Sequence, residues 1–307
     1  MEASRKLTGG AVHPPTRNQH TIASPCSVSG RGYWSGNDVH VTILPAAVNV
    51  GVQLVRTDLP DHPVCAATTD CTGAVSFRTN LANGPATFSM VEHLLAALAG
   101  LEIDNCFVEI DAEELPGLDG SSLAFVDALQ SAGLVIQAAP RSRLVITETL
   151  RLRHHDAWVE VLPATAGESY FEYQLNYGDD SPIPAGDFGI DLTPHRFIHQ
   201  VAPARTFVTT EQAAALQVGG VAAHVTPNDL IVFGDQGPVG TKLRFRDECS
   251  RHKTLDLIGD LSLAGCDIVG RVISHRGGHV LNGMLAGRLR ELAAETFATN
   301  ERPRKVA

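Results

Sequence analysis

His252, Asp256 and Asp260 recur at steps of four within the segment Ser250-Arg251-His252-Lys253-Thr254-Leu255-Asp256-Leu257-Ile258-Gly259-Asp260. Residues four apart stack on one face of a helix. An imidazole and a carboxylate one turn apart can therefore grip one metal ion, and the second carboxylate can brace a neighbour. Leu255, Ile258 and Leu261 sit among them, so the polar row borders a core, where polar groups need partners or a job. Alone the row is only a motif-grade signal, because a His and an Asp at this spacing often form a simple surface hydrogen bond or ion pair.

Further ligands raise the signal. Glu92-His93 opens a second helical run, Ser89 to Gly100. Taken singly, Glu92 reads as the far partner of a Ser89/Glu92 capping box and His93 as a satisfied, half-buried histidine. Taken with His252 and Asp256, His93 completes a set of two imidazoles and one carboxylate. That set leaves a fourth zinc position open, the composition of catalytic zinc sites. Glu92, beside a ligand, is then placed to take a proton from water as general base.

Two other segments carry possible chemistry. In Arg276-Gly277-Gly278-His279 the glycines supply a turn and His279 opens a helix. His279 either faces water or, held charged by a carboxylate such as Asp260, stabilises an oxyanion or protonates a leaving amine. In Pro203-Ala204-Arg205-Thr206-Phe207-Val208, Thr206 is either structural or an oxyanion donor. Lys253 is either a solvated helix residue or a second such donor, able also to hold a phosphate. Glu114-Leu115-Pro116-Gly117-Leu118-Asp119-Gly120-Ser121 reads as a structural turn feeding a capped helix. No G-x-G-x-x-G, P-loop, G-x-S-x-G or H-E-x-x-H motif occurs. His224 and His275 are spare histidines.

The elements that must position these residues follow from patterning. Val39–Ile43, Val50–Val55 and Cys106–Ile110 read as strands, and Pro60–Pro85 as short strands and turns. Helices are expected over Ser89–Gly100 and Ser121–Ala132. After a boundary at Ala138–Arg143 the pattern restarts, with strands at Leu144–Thr147, Trp158–Leu162, Tyr170–Leu175, Leu230–Phe233 and Ile268–Ile273. Helices are expected over Thr209–Gln217, Asp247–Gly265 and His279 to about Thr296. The expected fold class is α+β: two similar halves, each a sheet packed with two helices, the helical layers facing each other across the site. The expected divisions are a flexible tail over 1–19, an N-terminal α+β domain over 20–138 and a C-terminal α+β domain over 139–300.

Composition bounds the function. The chain has 307 residues, 44% hydrophobic and 19% charged, which suits a soluble globular protein with a sizeable core. Its formal net charge of −10 argues against broad nucleic-acid binding, though not against a nucleotide-bearing small molecule. Six cysteines lack zinc-site or disulfide-scaffold spacing, so a reducing cytoplasm is expected. No apolar run has the length of a membrane span, and no signal peptide is apparent. A hydrophobic substrate would be met at a pocket or at the membrane surface.

The blocks Ser89–Asn105, Glu114–Ser121, Ala204–Phe207, Leu243–Gly265 and Gly278–Asn282 together resemble the zinc-dependent UDP-3-O-acyl-N-acetylglucosamine deacetylases, in order, from about Gln19 to about Leu292. The resemblance implies a β-α-α-β sandwich and the committed deacetylation of lipid A synthesis. It implies that His93, His252 and Asp256 hold zinc (or ferrous iron), that Glu92 is the general base, and that His279 is the charged histidine oriented by Asp260. It implies that Thr206 and Lys253 contact oxyanion and substrate. Phe207, with the segment through Gly220, would line a passage for the acyl chain. An acylated UDP-amino-sugar substrate and a monomer are expected. The chain departs from the family where its usual Gly-Leu-His-Thr-Gly turn reads Gly32-Tyr33-Trp34-Ser35-Gly36. It departs again at Val208-Thr209, at Pro227-Asn228-Asp229 and across Thr68–Asn80. Two alternatives stay open: a zinc amidohydrolase for another N-acetylated sugar, and a non-catalytic binding protein on the same scaffold.

Overall fold

The computed structural model describes residues 10–11, 17–73, 77–165, 167–218, 222, 224–227 and 229–300, the side chains of 10, 11, 73 and 297–300 excepted. Its helices are α1 (Glu92–Gly100), α2 (Leu123–Ala132), α3 (Pro194–Gln200), α4 (Thr210–Val218), α5 (Glu248–Ser262) and α6 (His279–Asn300). They combine with several sheets in an α+β fold.

Two sheets dominate. One has five strands in the order Cys26–Arg31, Asp38–Pro45, Cys106–Ile110, Val52–Arg56, Val64–Ala66. Burial alternates along Asp38–Pro45, as a strand with one covered face requires. The other sheet, of seven strands, is organised on Asp267–His275. That strand runs parallel to Arg143–Ile146 and Ser169–Leu175 and antiparallel to Ala157–Leu162. α2 packs on the first sheet and α5 and α6 on the second, while α1 lies against α5. One continuous apolar core, from Ile22 to Ala293, joins these layers.

The α1–α5 crossing positions the site. Every residue of α1 except Ala99 is buried, because its apolar stretch is covered on all sides. Gly259 of α5 is the point of closest approach: a Cβ there would lie 2.3 Å from the Glu92 carbonyl oxygen and 3.2 Å from the Ala96 nitrogen. Both are backbone atoms, so no side chain could swing aside. Gly259→Ala therefore has to push the helices apart. The expected result is a loss of about 1–3 kcal/mol of stability, read as a lower urea midpoint. A midpoint equal to wild type would contradict this packing.

The structure corrects several expectations. Ser89 and Glu92 do not form a capping box; Val91 stands at the N-cap without a side-chain cap. Ser89 is still in the strand Ala86–Ser89, opposite Asn80, and its hydroxyl bonds the Asn80 side chain. Met90 turns the chain at φ 60°, which frees the Glu92 carboxylate for the site. The Thr209/Gln212 pair does cap α4 reciprocally. The loose tail does not extend to Gln19. Asn18–Ile22 is a strand paired with Leu134–Pro140, and Gly10–Ala11 pairs with Arg143–Ile146. Arg17 fixes this end by bonding Asp104 at 2.7 Å and Asp267 at 2.8 Å. The strand Leu134–Pro140 runs into the expected boundary, and α3 was not foreseen.

Candidate metal centre

Three helices and one loop converge on the site. α1 brings Glu92 and His93 in its first turn, α5 brings His252, Lys253, Asp256 and Asp260, and α6 begins with His279. The ion pair Arg205–Glu248 locks the loop Ala204–Phe207 to the start of α5. The Glu248 carboxylate is fully buried and also accepts the Arg205 and Arg244 amides.

His93, His252 and Asp256 each offer a ligand atom, and these lie within 4.8 Å of one another. Asp256 Oδ1 is 3.4 Å from His252 Nε2 and 3.8 Å from His93 Nε2. All three side chains are buried. The His252 Nδ1 sits 3.1 Å from the Ala204 carbonyl, to which it donates as N–H, leaving the Nε2 lone pair free. Burial lowers the pKa of both imidazoles, that of His93 to about 3 with neighbouring His252 adding to the effect. Both rings are therefore neutral, as metal ligation requires. Burial opposes ionisation of Asp256, but the Lys253 ammonium beside it holds its carboxyl well below the usual range. The Lys253 ammonium bonds Asp256 Oδ2 at 2.7 Å, and the pairing overrides burial to keep the amine charged. Oδ1, buried between the imidazoles, has no hydrogen-bond partner among the described residues. A buried anionic oxygen without a donor is costly. A divalent cation among these three donors removes that cost, so the residues present fit a metal.

Around this centre stand two groups tuned in opposite directions. Burial raises the pKa of Glu92 to about 7. Burial opposes the charge on His279, but Asp260 overrides it and pushes the imidazole up to about 9. His279 Nδ1 is 3.0 Å from Asp260 Oδ2, and its Nε2 is 3.8 Å from Asp256 Oδ2. Asn282 donates to the same Asp260 oxygen at 2.9 Å. Tyr173 steadies the preceding glycine turn through the Gly277 carbonyl.

The sequence reading missed Thr79. Its amide donates to Glu92 Oε2 at 3.0 Å, its hydroxyl bonds Asp260 Oδ1, and that hydroxyl lies 3.2 Å from His279 Nδ1. One residue thus touches both tuned groups. No local pattern announces it, since a threonine before a strand is ordinary.

Thr206 and Phe207 are less tightly tied to the centre. The Thr206 backbone bridges Gly120 and Ile231, and its hydroxyl has no hydrogen-bond partner among the described residues. Phe207 stands edge-on to His252 with ring centroids 6.1 Å apart, and continues into Phe233 and Tyr177 at 6.4 and 6.2 Å. An apolar wall therefore adjoins the ligands. The expected passage segment runs on to Gly219 and Gly220, which lie outside the described residues. In Glu114–Ser121 the Glu114 carboxylate accepts the amides of Trp34 and Ser35 and Asp119 accepts from Ser121 and Arg244, but the helix that follows starts at Leu123 with Ser122 at its N-cap and no side-chain cap. The spare histidines find partners, His224 at the Gly32 carbonyl and His275 stacked on Trp158.

A family model described as UDP-3-O-acyl N-acetylglycosamine deacetylase matches residues 19–291. A Trichormus variabilis protein named UDP-3-O-acyl-N-acetylglucosamine deacetylase is 38% identical over 283 residues, covering 90% of this chain and 99% of its own. A protein of the same name from Thermosynechococcus vestitus is 38% identical, over 87% of this chain and 92% of its own. Another from Actinobacillus succinogenes is 36% identical, over 94% and 95%.

Proposed function

The chain belongs to the UDP-3-O-acyl-N-acetylglucosamine deacetylase family and is a deacetylase; on that footing we propose that it hydrolyses the N-acetyl group of UDP-3-O-acyl-N-acetylglucosamine, releasing acetate and UDP-3-O-acyl-glucosamine. The reaction is the committed step of lipid A synthesis and takes place in the cytoplasm. No helix among the described residues is long and apolar enough to cross a membrane.

The observation that carries the reading is the orphaned Asp256 Oδ1 between two neutral imidazoles. His93, His252 and Asp256 would hold a divalent cation, zinc or ferrous iron. Bound there, it supplies Lewis acidity toward the amide carbonyl and the attacking water. Glu92 takes the proton from that water. A carboxylate raised to about 7 is a better base at neutral pH than an ordinary one. Thr206 and Lys253 donate to the oxyanion as it develops. His279, kept charged by Asp260, gives its proton to the departing amine. Thr79 and Asn282 hold that pair in place. Phe207 and Tyr177 give the acyl chain an apolar wall, with the buried Phe233 ring packed behind Phe207.

The intact Glu92 and His279 weigh against a binding protein that keeps metal for stability. Such a site needs neither, and structural zinc prefers four protein ligands. Acetate and free amine are to be measured with the acylated UDP-sugar and, separately, with UDP-N-acetylglucosamine lacking the acyl chain. Equimolar acetate and amine are expected from the first, with much slower turnover of the second. No acetate from either would refute the reaction. Equal turnover of both would refute acyl recognition.

A further inference from the structure

Asn282 supports the Asp260–His279 pair but is itself only half satisfied. Its Nδ2 donates to Asp260 Oδ2 at 2.9 Å, while its Oδ1 is buried with no hydrogen-bond partner among the described residues. The hydroxyl of Ser274 is in the same condition. We propose that Ser274 is a positioning residue of the deacetylation: through one trapped water its hydroxyl donates to Asn282 Oδ1 and keeps the amide turned toward Asp260. The inference rests on the proposed role of the Asp260–His279 pair and adds to it a residue that acts through another.

Placement is the first support. Ser274 lies near the end of the strand Asp267–His275, and the chain continues from there through the glycine turn to His279. Ser274 and Asn282 are both fully buried. Their orphaned oxygens face one point: a Cβ built on Gly277 would lie 2.3 Å from Ser274 Oγ and 3.6 Å from Asn282 Oδ1. That spacing puts the two oxygens about one water apart, and residue 277, lacking a side chain, leaves the hydroxyl room. Buried waters characteristically join polar groups that have no other partner. Tyr173 donates to the Gly277 carbonyl and fixes this stretch of backbone.

The chemistry of the amide is the second support. Asp260 Oδ2 is an acceptor that also lies 3.0 Å from His279 Nδ1, so the group Asn282 turns toward it must be the N–H donor. Rotated by half a turn, the amide would set its own oxygen against the carboxylate and leave Asp260 one donor short. What selects the correct orientation is a donor for Oδ1, because a buried acceptor left unpaired is costly. Ser274 supplies that donor. Ile268, Gly270 and Val272 precede it at alternate, buried positions of the strand, so the hydroxyl is the one side-chain polar group in this row. An uncompensated hydroxyl there would be costly, and the bridge to Asn282 removes the cost.

A variant series and a spectrum test the claim. Ser274→Ala removes only the hydroxyl. Its kcat for acetate release is expected to fall roughly tenfold, the lower end of what losing a supporting partner costs a metal site. KM and zinc affinity should not change. Ser274→Thr, which keeps a hydroxyl, should recover most of the loss. Asn282→Ala should lose at least as much as Ser274→Ala. Combining the two should cost nothing more, because a group that acts through the amide then has nothing to act on. Nitrogen-15 NMR of the zinc-loaded protein carries the test without turnover. The Asn282 side-chain resonance, identified by its absence in Asn282→Ala, should shift in Ser274→Ala and return in Ser274→Thr. Wild-type kcat in folded Ser274→Ala, or losses that multiply in the double variant, overturns the proposal. If even the wild type releases no acetate, the reaction fails and the spectrum decides alone. A resonance that follows the hydroxyl then leaves the Ser274–Asn282 link standing, and one indifferent to it removes the link.

Discussion

Glu92→Gln lowers kcat by roughly a hundredfold or more while the protein keeps its metal and its fold. Glutamine has the shape of glutamate and can still accept the Thr79 amide, which bonds Glu92 Oε2 in the wild type. What it cannot do is accept a proton. Glu92 is 2% exposed, and its carboxylate is no metal-ligand candidate, so the substitution separates proton transfer from metal binding. The KM should change little, because a base that acts only in the transition state contributes little to ground-state binding. Steady-state acetate release with metal analysis on the same sample checks this. A variant that turns over at the wild-type rate would remove Glu92 from the chemistry. A variant that loses metal would make it structural.

His93→Gln abolishes tight metal binding and, with it, acetate release. The choice of ligand matters. Asp256 partners the buried ammonium of Lys253, so replacing it leaves a buried charge unpaired, which costs about 3–5 kcal/mol and confounds the result with unfolding. His93 is neutral in the wild type, so glutamine strands no charge. Loss of a mere supporting partner weakens metal sites roughly ten- to hundredfold, and removal of a ligand should exceed that. Equilibrium dialysis against buffered zinc measures the affinity. Wild-type affinity in the folded variant would show that His93 does not ligate. Treating the wild-type protein with a chelator should reproduce the loss of turnover, and one equivalent of divalent metal should restore it.

Much of the centre was legible because its residues obey helical spacing. The four-residue steps from His252 to Asp260 put three polar groups on one face, and Leu255, Ile258 and Leu261 told which way the helix was buried. The strand Cys106–Ile110 and the start of α6 at His279 fell where patterning placed them. The capping box failed for an instructive reason. Ser89 and Glu92 have the right types and spacing, but Ser89 is held in a strand by its pairing with Asn80. Tertiary pairing outweighed a local propensity, and the freed carboxylate became part of the site.

Other features left no local trace. Thr79 acts through its backbone amide as much as its hydroxyl, and an amide has no sequence signature. The need for glycine at 259 arises only when α1 lies across it. Arg17 bridges Asp104 and Asp267, acids separated by more than half the chain, so its role was invisible until the strands closed.

The central claim is that His93 and the pair His252 and Asp256 meet at one divalent cation. Anomalous diffraction from crystals grown with one equivalent of zinc tests it most directly. The expected result is a single strong peak in bonding contact with His93, His252 and Asp256. A zinc peak bound elsewhere, with these three side chains apart from it, would contradict the account.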